Sequence, residues 1–143
     1  MKKKVLIVCA DYYWNTTLSL KVDAENILDE AKIKHNSIHV PGIFEIPVVI
    51  SKNIKKYDGF VALGCVIKGE TPHFDFISKT TFEAIMNLSI QSKKPIGNGI
   101  ITALNMTQAI QRSGDPEVVL DKKKLKKGKG REAAKAVIAV LSK

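Results

Sequence analysis

The stretch "GCVIKGETPHFDFI", Gly64 to Ile77, opens as an apolar run and ends in Lys68, Gly69, Glu70, Thr71, Pro72 and His73. Those residue types can do chemistry. Gly69, Glu70 and Thr71 stand directly before a helical pattern, and backbone amides at a helix start plus a threonine hydroxyl suit an anion such as phosphate. The same residues also read as an ordinary helix cap beside a solvated lysine. Alone, His73 is a structural or merely exposed side chain; beside an anion site it is a candidate for proton transfer. Phe44 and Glu45, in "PGIFE", offer a ring for stacking and an acceptor for hydroxyls, or else a core phenylalanine and a glutamate favouring a helix dipole. Tyr12, Tyr13 and Trp14 form an aromatic triplet that suits a flat ligand, with one or two of the three expected to pack. Arg112 either clamps a phosphate bidentately or caps helix carbonyls. His35 and His39 read as bland. Cys9 and Cys65 lie in apolar runs and read as buried free thiols, and no Cys/His spacing suggests a metal.

These residues need elements to hold them. "KVLIVCA" (4–10) is a continuous apolar run, as in a strand covered on both faces. A helical stripe spans 15–33, with Asn15, Thr16 or Thr17 as its cap. A short strand is expected at 37–40 and a helix at 44–54, with Pro47 in its first turn. Residues 59–67 read as a third buried strand and 74–94 as a long amphipathic helix. A fourth strand falls within 95–104. Helices follow at 106–114, closed by Gly114, and at 130–143. Four β–α units in series predict a parallel sheet with helices on both faces. Ligands of such sheets bind beyond the carboxyl ends of the strands, so the polar clusters should line one rim.

The chain has 143 residues, 45% hydrophobic and 26% charged, which suits one soluble domain over 1–143. No apolar run is long enough to cross a bilayer, and the basic tip before "VLIVCA" reads as the lead into a strand rather than a leader peptide, so a cytoplasmic protein with no membrane partner is expected. The net charge of +9 is concentrated in "DKKKLKKGKGR" (121–131), which carries +6 of it. That is a local segment and not a basic face, and it lacks interleaved aromatics, which argues against nucleic acid as the partner.

Taken together, "VPGIFEIP" (40–47), "GCVIKGETPHFDFI" (64–77), "GIIT" with "TQAIQRSG" (99–102, 107–114) and "KGREAA" (129–134) resemble the lumazine synthase family of riboflavin biosynthesis. The resemblance implies a three-layer α/β/α sandwich around a four-stranded parallel sheet, flavodoxin-like. It implies a transferase that condenses 5-amino-6-ribitylaminouracil with 3,4-dihydroxy-2-butanone 4-phosphate, releasing phosphate and giving 6,7-dimethyl-8-ribityllumazine. Neither cofactor nor metal takes part. By position, the resemblance puts Tyr12 under the pyrimidine and Phe44 and Glu45 at the ribityl chain. It makes Gly69, Glu70 and Thr71 the phosphate loop, His73 the proton-moving histidine and Arg112 a phosphate ligand. Lys129 and Glu132 match the start of the final helix. The fourth-strand and C-terminal residues are expected to reach a neighbouring subunit's site, so the implied enzyme is a homo-oligomer built on pentamers, with riboflavin synthase as a candidate partner. The alternative is a non-catalytic flavin or phosphorylated-ring binding protein of the same fold.

This chain departs from the family pattern at Asn98, where a large aromatic usually packs on the bound ring, and at Lys68, where arginine is frequent. It starts almost at the first strand, and its segment 115–130 is longer than usual. Length and repeated lysines there lead us to expect a discrete pentamer over a capsid of sixty chains.

Overall fold

The structure is a computed structural model and describes residues 2–113 and 128–143. Gly114 and the lysine run up to Lys127 lie outside the described residues. The sheet has four parallel strands, β1 (Lys4–Ala10), β2 (Lys34–Val40), β3 (Gly59–Ile67) and β4 (Ile96–Ala103), in the order β2-β1-β3-β4. Helices α1 (Trp14–Glu30) and α5 (Lys129–Leu141) cover one face. Helices α2 (Ile46–Asn53) and α3 (His73–Ser92) cover the other. A short α4 (Met106–Ser113) follows β4. The result is the three-layer α/β/α sandwich of flavodoxin-like folds. No helix among the described residues is long and apolar enough to cross a membrane.

The period-two pleat sorts each buried strand between two cores. Val5, Ile7 and Cys9 of β1 meet Leu20, Leu28 and Val137. Leu6 and Val8 meet Ile46, Ile50 and Ile85 on the opposite face. Burying one such aliphatic side chain contributes about 1.5–3 kcal/mol. That exceeds the ~1 kcal/mol of a helix cap, so packing sets the helix limits. Accordingly α1 begins at Trp14, with Tyr13 at its N-cap and no side-chain cap bond. Thr16 and Thr17, expected as caps, are instead buried in its first turn. The helix also ends three residues before the expected 33. Lys32 turns to a φ of 57°, and Ile33 N–H returns to the Leu28 carbonyl at 2.9 Å. That sharp exit lets β2 begin at Lys34. Burial thus explains the cysteines as well. It pushes the Cys9 thiol up to about 12, with nearby Lys21 opposing and Asp11 and Glu25 adding to it, and pushes Cys65 to about 11.

Two glycines seat α5. A Cβ at Gly97 would run into the Ala133 carbonyl, and one at Gly130 into the Leu20 carbonyl. The close approach brings the first turn of α5 to the flank of β4. It also sets the backbone of Gly128 against the Asp23 carboxylate: a Cβ there would lie 2.7 Å from Oδ2.

Burial raises the Asp23 carboxyl from 3.8 to about 6, against the opposing pull of Arg131. A raised folded-state value means that the contribution of protonated Asp23 is complete below 3.8 and lost as pH rises through about 6. Asp23→Asn is therefore expected to unfold later in urea than the parent at pH 8, by on the order of 1 kcal/mol after allowance for its partial exposure. At pH 4 or below the two should coincide. An equal offset at both pH values would show that ionisation is not the cause.

Candidate functional site

Three of the polar clusters stand beyond the carboxyl ends of β1, β2 and β3. After β1, Tyr12 is 77% exposed. Tyr13 and Trp14 pack against the α1/α5 core. Of the triplet, only Tyr12 is left to meet a ligand. Its position is fixed from both sides. Asp11 N–H donates to the Val40 carbonyl at 2.8 Å, and the Asp11 carboxylate meets His39 Nδ1 at 2.9 Å. The Trp14 ring stands edge-on to His39, 5.0 Å between centroids. Tyr12 itself stands edge-on to Tyr13 at 4.9 Å. His39, read from sequence as bland, thus ties the β1 turn to the end of β2. The missing signal was tertiary, because Asp11 and His39 are adjacent only through strand register.

After β2, a 3-10 turn at Ile43–Glu45 presents Phe44 outward, 57% exposed, so it is not a core phenylalanine. Glu45 Oε1 accepts from Gly42 N–H at 3.0 Å. One carboxylate oxygen therefore fixes the turn, and the side chain lines a pocket with Phe44, His73, Phe76, Ile77 and Thr80 of about 410 Å³. Phe76, 68% exposed, was not singled out from sequence. It falls in a helical stripe, where an aromatic ordinarily reads as core.

After β3, Gly69, Glu70, Thr71 and His73 are all exposed. Helix α3 starts at His73 with Pro72 at its N-cap and no side-chain cap bond. The helix-cap reading of Thr71 therefore fails. Nothing lies within 4 Å of a Cβ built on Gly69, so the loop stands open to a ligand.

The fourth cluster is turned away from that rim to the flank of β4. Arg112 Nη1 donates to the Thr102 carbonyl, which aims the guanidinium along the strand. Asn98, Thr102, Arg112, Lys129, Glu132 and Phe82 of α3 line a second pocket of about 330 Å³. Lys129 Nζ and Glu132 Oε2 are 3.8 Å apart across one helical turn. Such an exposed pair contributes little stability; its value is in holding a cation and a carboxylate at the rim of the pocket. The two pockets share no lining residue. One chain therefore presents two chemically different pockets: one with aromatic rings, a carboxylate and an imidazole, the other with two cations, a carboxylate and an aromatic wall. The first can hold a flat, hydroxylated molecule and move protons. The second can take an anion.

Residues 2–143 match the sequence pattern of the family described as 6,7-dimethyl-8-ribityllumazine synthase. The chain is 39% identical over 147 residues to the 6,7-dimethyl-8-ribityllumazine synthase of Bartonella tribocorum, covering 99% of this chain and 91% of that one. It is 38% identical over 147 residues to the enzyme of that name from Agrobacterium fabrum, covering 98% and 93%. A relative of the same name in Limosilactobacillus reuteri is 41% identical over 111 residues, covering 76% and 73%.

Proposed function

The chain belongs to the 6,7-dimethyl-8-ribityllumazine synthase family, and from that premise we propose how its two pockets carry out the reaction. The enzyme condenses 5-amino-6-ribitylaminouracil with 3,4-dihydroxy-2-butanone 4-phosphate. The primary amine adds to the ketone and loses water to give an imine. Loss of the proton on the hydroxyl-bearing carbon expels phosphate from the next carbon and leaves an enol, which becomes a ketone; attack of the ribityl-bearing nitrogen on that ketone closes the ring with loss of a second water. The product is 6,7-dimethyl-8-ribityllumazine, the substrate for a riboflavin synthase.

The roles are those the family resemblance implies, and the exposure of Tyr12, Phe44 and the 69–73 loop supports them. Tyr12 supplies the platform for the pyrimidine, and Phe44 and Glu45 receive the ribityl chain. Gly69, Glu70 and Thr71 cradle the phosphate, which Arg112 holds from the other side with paired donors. His73 moves protons at the amine and at the departing phosphate. Lys129 and Glu132 order the anion pocket. Holding two substrates face to face supplies much of the rate.

The observation that carries this reading is the separation of the two pockets, each chemically half of what the condensation needs. A homo-oligomer in which the β4 flank of one subunit meets the His73 pocket of the next brings the halves together. The test is direct: the purified protein and the two substrates are mixed and the fluorescent lumazine is followed. A rate no faster than the uncatalysed condensation overturns the reading.

We assign the assembly as a discrete pentamer acting in the cytoplasm. The two buried, free cysteines support a reducing compartment. The repeated lysines of 122–129 in the sequence support a pentamer over a larger particle, because like charges brought together in a larger assembly repel at low salt. Sedimentation at ordinary ionic strength is expected to give a single species of five chains. A particle near sixty chains would refute the pentamer, and an active monomer would refute the shared site.

A further inference from the structure

We propose that Phe82 is the aromatic wall for the planar ring of the pyrimidine substrate, and that Asn98 is a structural cap on the strand edge. This rests on the shared site proposed above. Asn98 lies on β4, the last strand of the sheet. Its Oδ1 accepts from the Ile100 N–H at 3.0 Å. The Ile100 amide points away from β3 and would otherwise be an open edge donor, the kind of group that invites unwanted strand pairing. The amide side chain is thus folded back along its own strand and has no flat apolar face to offer a ring.

The strand pleat puts Asn98 on the same face as Ile96 and Ile100, both in the core beneath α3. Its partner across the ladder is Ala62, a small side chain. Phe82 comes down from α3 onto this face. It is partly buried against the same core and also lines the pocket that Asn98, Arg112 and Lys129 line. It is the one aromatic among the residues lining that pocket. A ring at 82 and a ring at 98 would compete for the same wall. With Asn98 small and turned aside, Phe82 provides the surface against which a planar ring closes when the flank meets the neighbour's Tyr12 and Phe44.

Base–aromatic stacking is sequence-tolerant and sensitive to loss of the flat face. Phe82→Leu keeps the apolar volume and removes that face. The expected result is a roughly tenfold rise in KM for ribitylaminouracil, with kcat and the KM for butanone phosphate changed by less than about twofold. The double variant Phe82→Leu/Asn98→Phe is expected to recover most of the loss, because the second ring returns to the same wall. Binding of the lumazine product, followed by its fluorescence, should weaken in parallel in Phe82→Leu. An unchanged pyrimidine KM in Phe82→Leu, an equal rise for both substrates, or no recovery in the double variant overturns the proposal. Should the parent itself make no lumazine, the proposed function fails first, and product binding alone decides the role of Phe82.

Discussion

Arg112→Lys is expected to raise the KM for butanone phosphate by roughly ten- to a hundredfold, the scale of one or two charge-assisted hydrogen bonds. The KM for the pyrimidine should change far less. The structure gives the reason in three parts. Arg112 sits on the exposed end of α4, so lysine there costs the fold little. One guanidinium nitrogen is spent on the Thr102 carbonyl, and Arg112 also lines the pocket. A lysine keeps the charge but cannot bond the carbonyl and present a planar pair of donors at once. Inorganic phosphate should compete with butanone phosphate in the parent and much less in the variant. Equal losses for both substrates would contradict the phosphate assignment.

His73→Ala is expected to lower kcat by on the order of a hundredfold or less, with folding and assembly unchanged. His73 is exposed on the first residue of α3 and among the described residues makes no hydrogen bond that the helix start needs. Pro72 takes the N-cap position, and the Pro72 carbonyl already receives Asp75 and Phe76 N–H at 3.1 and 3.2 Å. Alanine also favours a helix. A variant that folds, assembles and turns over at the parent rate would remove the histidine from the chemistry. A variant that fails to fold would make it structural.

The buried parts of the fold were legible because two-sided burial writes a continuous apolar run, as in β1 and β3. The edge strand β2 was legible only in part. Its first residues, Lys34, His35 and Asn36, carry polar side chains to an open edge, so the apolar signal begins only near Ile38. The start of α1 was misread for a related reason. Threonine favours a cap position, but Thr16 and Thr17 face the core, and packing overrides the cap preference.

At the candidate site, Tyr12, Phe44 and His73 stood out because each follows the end of a strand, although the sequence left packing open for Tyr12 and Phe44. Their exposure removes the bland alternatives for Tyr12 and Phe44. Phe76 and Phe82 were not legible. An aromatic in a helical stripe reads as core, and only the placement of α3 against β4 and the 3-10 turn shows that both also line pockets. The Asp11–His39 contact was hidden likewise, since 28 residues separate the partners. The single-rim expectation held for three clusters and not for the fourth. Arg112 folds back on β4, and that reversal divides the chemistry between two faces of one chain.

Mixing two defective variants shows whether one working site draws on two subunits. His73→Ala and Arg112→Ala are each purified, then unfolded and reassembled together in equal amounts. If His73 and Arg112 of one working site come from different subunits, random co-assembly leaves about one site in four with both residues intact. The mixture is then expected to recover up to about a quarter of the parent rate, well above the mean of the two variants assembled apart. A co-assembled mixture that turns over only at that mean would place both residues in a site built by a single chain and contradict the account.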